Sequence, residues 1–287
     1  MKIVFLTENT HRGGLDSFLV SLINHWPHPG DELVFVCNAS HPGIEGIRKS
    51  LTRPCAVVAH CVPTYLDLVH KTGHRGALAL IRKLFSPLLR YGFFLYCVVR
   101  LRREVLAGNP DRLMVLNGGH PGGDTCRAAV ITWGLFAKRK PHAIYNFHNL
   151  ASTPRWFDKW PDKIIDHFVA RYSRAIIGVS RVCAESLRNR MGGEVMGKVS
   201  WIYNGISAPS PAAASHAATL REELGLPKDS LVCLMLATYE PRKGHDFLLK
   251  AFRIVVSEIP TARLVICGYG FLKKASTVGT LAAEMHT

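Results

Sequence analysis

Apolar residues along this chain fall into short blocks of two kinds. Continuous apolar runs bounded by turn residues predict strands at residues 2–6, 32–37, 56–60, 112–116, 143–147, 175–179 and 199–203. Spacings of three and four predict helices at 15–26, 124–137, 161–172 and 181–191. A long helical region at 66–106 is expected to break near residues 73–76 and near Pro87. Ser180 stands where its hydroxyl can cap the helix opening at Arg181. Strands that are apolar throughout and alternate with helices predict a doubly wound parallel α/β sheet, covered on both faces.

Residues 209–218 (PSPAAASHAA) carry no pattern and read as a linker. The strand–helix–strand pattern then restarts, with strands at 231–237 and 263–267 around a helix at 244–258. The expected domains are 1–206 and 207–287. The second reads as incomplete, since a doubly wound domain takes about 100–150 residues.

In such sheets ligands bind beyond the carboxyl ends of the strands. That rule selects Gly13 and Gly14, the loop holding Asn117, Gly118 and His120, then His148 and Ser180. Gly13 and Gly14 suit close backbone approach to a ligand, or serve as a plain strand–helix turn. His148 suits a hydrogen bond to a sugar hydroxyl or proton donation to a leaving phosphate, or is a packed loop histidine. Arg242, Lys243 and Gly244 open the helix of the second domain. Two cations there oppose the helix dipole, which an anion such as a nucleotide diphosphate would relieve; the ordinary reading is solvation.

Charge and cysteine content narrow the class. The 287 residues carry 36 Lys and Arg against 21 Asp and Glu, a formal net charge of +15 that favours an anionic partner. The eight cysteines form no Cys-x-x-Cys pair, so neither a zinc site nor a redox motif is expected, and the pattern fits a reducing cytosol. Cys37, Cys233 and Cys267 lie in apolar runs and are expected to be buried. Residues 86–101 (SPLLRYGFFLYCVVRL) are too short to span a bilayer. They read either as an amphipathic helix at an anionic membrane surface or as a core helix with a basic outer side. Gly268-x-Gly270 meets Lys273 where a dinucleotide fingerprint needs glycine, and no Walker A or Gly-x-Ser-x-Gly sequence occurs. No nucleic-acid motif is present, and none is expected as a partner.

Together these segments resemble a known family. EPRKGHDFLLKAF followed by PTARLVICGYG is similar to the donor-domain entrance of the large retaining glycosyltransferase family with the GT-B fold. GGLDSFLVSL, FHNL, AIIGVS and VSWIYNGIS resemble its first-domain motifs in order and spacing, over nearly the whole chain. The resemblance implies two Rossmann-like domains facing a cleft. It implies transfer of a sugar from a nucleotide-sugar donor to a glycan or lipid-linked acceptor, with retention of configuration and without a metal or other cofactor. It places Lys243, Arg242 and Gly244 at the donor diphosphate, Gly13 and Gly14 near it, and His148 at the donor sugar as the catalytic candidate. Asn117, Gly118, His120 and Ser180 are acceptor-side candidates.

Ala237 and Thr238 stand where the family carries a Gly-Arg pair. Its paired glutamates would follow the equivalent of Gly270, and this sequence ends at Thr287, so a truncated and impaired enzyme is expected. The alternative is a non-catalytic module binding an anionic membrane surface or polymer through the basic first domain. The expected location is the cytoplasm or the inner face of a membrane.

Overall fold

The computed structural model describes residues 1–73, 76–138, 140–154, 156, 158–206 and 221–268. The linker read at 209–218, Gly270 and Lys273 lie outside the described residues, as does the side chain of Arg242. By its internal contacts the chain divides into two compact units, Met1–Gly205 and Ile206–Thr287.

The first unit runs β1 (Lys2–Thr7), α1 (Gly14–Asn24), β2 (Glu32–Asn38), α2 (Ile44–Ser50), β3 (Ala56–His60), α3 (Tyr65–Thr72), α4 (Ala77–Leu84), α5 (Ser86–Arg100) and α6 (Arg102–Val105). It continues β4 (Arg112–Asn117), α7 (Asp124–Phe136), β5 (Ala143–Phe147), α8 (Lys159–Tyr172), β6 (Ser173–Gly178), α9 (Arg181–Met191) and β7 (Val199–Trp201). All seven strands are parallel, in the order β3-β2-β1-β4-β5-β6-β7. The chain starts at the centre, winds out to β3, then crosses back to lay β4 against β1. That reversal opens a crevice at the carboxyl ends of β1 and β4, the usual ligand position of a Rossmann-like sheet.

Alternation along β1 divides the core in two. Ile3 and Phe5 pack with Leu15, Leu19 and Ile23 of α1 and with Ile47 of α2. Val4 and Leu6 face the other way, with Phe94, Val98 and Leu101 on the α5 side and Val130 of α7. Each such side chain taken out of water contributes roughly 1.5–3 kcal/mol. Both faces of the sheet are therefore sealed at its central strands, which is why those strands are apolar throughout, whereas the edge strands β3 and β7 are largely exposed.

The helical region at 66–106 breaks between Thr72 and Ala77 and again at Phe85, two residues before Pro87. Pro87 lies in the first turn of α5, where a missing N–H leaves no bond unmade and the fixed φ suits a helix start. The sequence gives no sign of α2, a short helix that buries only Ile47.

The described part of the second unit holds β8 (Leu231–Leu236), a 3-10 turn at Pro241–Lys243, α10 (His245–Glu258) and β9 (Ala262–Cys267). β8 and β9 pair in parallel, forming a second, smaller Rossmann-like βαβ piece. Leu249 and Phe252 of α10 and Ala262 of β9 are buried, whereas Leu231, Leu234 and Leu236 are exposed. The expectation for cysteine burial fails here. Cys37 is buried in the first sheet, but Cys233 and Cys267 are exposed. An apolar run buries its side chains only where both faces of its sheet are covered.

Candidate functional site

The loop after β1 is organised by Asp16. Its carboxylate accepts from Asn9 Nδ2 at 2.7 Å and from Gly13 N at 3.3 Å, and His41 Nε2 lies 3.1 Å away. Gly13, the residue preceding α1, is extended (φ −174°), a conformation open to any residue. A Cβ on Gly13 or Gly14 would meet no protein atom within 4 Å, and the same holds for Gly118. These glycines therefore face open space at the carboxyl edge, where small size leaves room for something outside the chain.

His148 follows β5. Its ring meets Phe18 of α1 edge-on, with centroids 4.4 Å apart, which brings the Gly13–Gly14 helix start and the β5 end together. Asn146 Nδ2 donates to Ile177 O at 2.9 Å, so Asn146 Oδ1 is left to accept from His148 Nε2 at 2.6 Å. The ring thus carries its proton on Nε2, and Nδ1 holds a lone pair. Burial pushes its pKa down to about 4, so the imidazole is neutral near pH 7. Proton donation to a phosphate does not fit this state, because the one N–H is already given to Asn146. Accepting a hydroxyl proton at Nδ1 does fit it.

Two candidates from the sequence face inward. Asn117 Nδ2 donates to Pro121 O at 3.1 Å and to Tyr145 Oη at 2.7 Å, while Oδ1 accepts from Gly123 N at 3.1 Å. Every polar atom of Asn117 is committed to holding the 118–123 loop against the sheet. Gly122, at φ +57°, is needed there, since a Cβ would strike Asn117 Oδ1. His120 is 2% exposed, with Nδ1 3.1 Å from Tyr145 Oη and Nε2 2.8 Å from Asp166 Oδ1. Burial lowers its pKa, so a neutral ring donates Nε2–H to the carboxylate. Asp166 is buried too, yet His120 and Arg190 hold its pKa below the usual range. Both residues are structural ties in this arrangement and touch no solvent-facing site, because their hydrogen-bonding capacity is spent inside. Ser180 Oγ accepts from Cys183 N at 3.2 Å, the cap its position predicts.

Behind the edge lies a network that the sequence does not reveal. Asp162 takes Arg127 Nη1 at 3.4 Å and Arg190 Nη2 at 3.0 Å, and Arg190 Nε reaches Asp166 Oδ2 at 2.7 Å. It ties α7, α8 and α9 together under the loops. Glu8, just after β1, accepts from Thr125 N at 2.7 Å and Thr125 Oγ1 at 2.6 Å, and burial raises its pKa. Its partner lies 117 residues away, so no local spacing could have found the pair. A separate cavity of about 760 Å³ opens between α8 and α9, lined among others by Lys159, Trp160, Lys163 and Arg190. None of the residues selected from the sequence lines it.

In the second unit, Gly244 adopts the left-handed conformation (φ 72°) before α10, and a Cβ there would meet nothing within 4 Å. Lys243 is exposed in the preceding turn. A cation thus stands at the start of a 14-residue helix whose N-cap, Gly244, supplies no side-chain cap. Asp246 in the first turn already meets part of the dipole. Gly268 is fixed by a different need, since a Cβ would strike the Ala237 carbonyl. Among the described residues, no cluster of three His, Cys, Asp or Glu side chains is placed to hold a metal.

Known proteins resemble this chain at three levels. The model of Glycosyltransferase Family 4 matches residues 12–208, and that of Glycosyl transferases group 1 matches residues 217–282. D-inositol 3-phosphate glycosyltransferase of Streptomyces avermitilis is 32% identical over 95 residues, which cover 33% of this chain and 20% of that protein. A glycosyltransferase of Rickettsia africae superposes with a TM-score of 0.63 at 11% identity, over 99% of this chain and 65% of its own. TarM of S. aureus, solved with Fondaparinux, alpha-GlcNAc-glycerol and UDP, gives 0.56 at 11% identity over 99% and 75%. The structural likenesses establish the fold, and the first family match covers well over half of the sequence. The parallel seven-stranded unit, the βαβ piece beyond it and these two consecutive matches make this chain a member of the GT-B glycosyltransferases, with a Glycosyltransferase Family 4 segment followed by a group 1 segment.

Proposed function

We propose that the protein moves a sugar from a nucleotide-sugar donor to a glycan or lipid-linked acceptor, with retention of configuration. The observation that supports this reading is the helix start in the second unit, where exposed Lys243 and open Gly244 precede α10 within the group 1 match. A diphosphate leaving group gathers negative charge as the glycosidic bond breaks. A fixed cation and helix N–H donors meet that charge without reorganising. In the first unit, Gly13, Gly14 and Gly118 leave backbone open at the carboxyl edge, and His148 offers a neutral acceptor to a sugar hydroxyl. The same reading has the protein act in the cytoplasm, where nucleotide-sugars are found.

The test is calorimetric titration of the protein from its native source with UDP, GDP and their sugars, beside Lys243→Ala. Charge-assisted contacts contribute roughly 1.5–3 kcal/mol, so the variant is expected to bind nucleotide about tenfold or more weakly. Nucleotide binding that ignores Lys243, or no binding by any nucleotide, would sink the reading and leave the non-catalytic module. The anomeric configuration of the product, read by NMR, decides retention.

A further inference from the structure

Helix α4 is built the wrong way round for a helix of a water-soluble surface. It buries Arg82, 7% exposed, which donates to Tyr65 Oη and Gly73 O. It exposes Leu78, Leu80, Ile81 and Leu84, the last at 74%. Helix α5 carries two apolar stripes. Phe94, Cys97 and Val98 face the core, while Leu88, Leu95 and Val99 recur at helical spacing on the opposite side, exposed at 73%, 66% and 65%. Helix α8 adds a third outer stripe of Trp160, Ile164 and Phe168, each four residues apart and all exposed. Between α5 and α8 lies a groove of about 390 Å³ with Leu95, Leu135, Ile164 and Phe168 among its walls, lined without exception by apolar or aromatic residues. Scattered exposed leucines need no explanation, but a contiguous apolar face marks an interaction surface.

Charge says what covers it. Residues 68–103 contain no Asp or Glu, whereas Lys71, Arg75, Arg82, Lys83, Arg90, Arg100, Arg102 and Arg103 all fall among them. Lys83, Arg102 and Arg103 are exposed around the leucines, and Lys159 and Lys163 are exposed beside Trp160. Apposing two copies of this chain here would set like charges against each other. An anionic lipid surface would neutralise them and take the apolar side chains in one step. No single helix here is long and apolar enough to cross a bilayer; α4 and the helical stretch after it reach a span's length and apolarity only as a pair, bent by 78°. That bend and the buried Arg82 favour a surface that lies on the bilayer over a broken span.

We propose that the α4, α5 and α8 stripes seat the first unit on an anionic bilayer, with one acyl chain entering the groove between α5 and α8. The inference is independent of the donor and of whether sugar transfer occurs.

The experiment is sedimentation of the full chain with vesicles of phosphatidylcholine alone or mixed with phosphatidylglycerol, across a salt series. Binding is expected only to the anionic vesicles and should weaken as salt rises. Leu88→Glu with Leu95→Glu should weaken it about a hundredfold, because two buried apolar side chains are lost. Arg102→Gln with Arg103→Gln should cost about fivefold per charge and tests the surface without touching the leucines. Circular dichroism confirms that each variant is folded. Vesicles with brominated acyl chains should quench tryptophan fluorescence, and Trp160→Phe should remove most of that quenching. The proposal is overturned by no binding to anionic vesicles, by equal binding to both vesicle types, or by quenching that survives Trp160→Phe. A lipid-free dimer that Leu88→Glu with Leu95→Glu dissolves would also overturn it, in favour of a second copy.

Discussion

β2 and β8 are apolar runs of nearly the same length, yet they live in different surroundings. Leu33–Cys37 of β2 is buried at every position, with α1 and α2 on one side and α5 on the other. No position of β8 is buried: Val232 and Met235 are half-buried, and the other four residues are exposed. Strand formation follows from local pattern, whereas burial follows from the layers stacked above and below. An apolar run therefore predicts a strand more safely than it predicts a buried thiol or a stable core.

The strongest way to break this contrast is to open the first unit from within. Asp162→Ala leaves Arg127 and Arg190 in the interior with a carboxylate removed. Urea denaturation should show a loss of roughly 3–5 kcal/mol. A loss under about 1 kcal/mol would mean that the network is more hydrated than its burial indicates.

The next test compares the sheets directly. Leu113→Ala in β4, where the side chain is 2% exposed, should cost about 2–5 kcal/mol. Leu234→Ala in β8, where it is 51% exposed, should stay within about 0.5 kcal/mol. Equal costs would show that β8 is covered as fully as β4.

pH sharpens the comparison at the sheet edge. His148 and His60 both have folded pKa values pushed down to about 4 by burial. The unfolded chain takes up their protons below about 6.5 while the folded chain resists. Their stabilising contribution is thus complete above that pH and declines as pH falls toward 4. For half-buried His148 the loss should be on the order of 1–2 kcal/mol. Thermal melts of wild type and His148→Leu between those limits check it, and parallel slopes would contradict the burial argument. Ser180→Ala should cost about 1 kcal/mol by removing the cap of α9, visible as a shift in the same melts.

The contrast between cap and network also shows what was legible. The Ser180 cap joins residues three apart, so the sequence shows it. The strands at 56–60 and 143–147 and the helix at 181–191 match their predicted limits because period and flanking turns are local signals. Asn117 and His120, acceptor-side candidates by sequence, lie at the predicted sheet edge with their side chains turned inward. Topology brings them to the carboxyl end, but Tyr145 and Asp166, reached only through folding, turn them inward.

By itself the sequence determined the alternating α/β pattern, the doubly wound sheet, the family resemblance and the Lys243–Gly244 helix start. Each rests on residues close along the chain. Only the tertiary structure decided that Glu8 meets Thr125, that Arg127 and Arg190 share Asp162, and that His148 is a neutral Nε2–H ring. It also decided that Cys233 lies exposed while Cys37 does not, and that α4 buries its arginine and exposes its leucines. These depend on which surfaces meet across the fold, and burial and pairing energies are set there, where no local spacing records them.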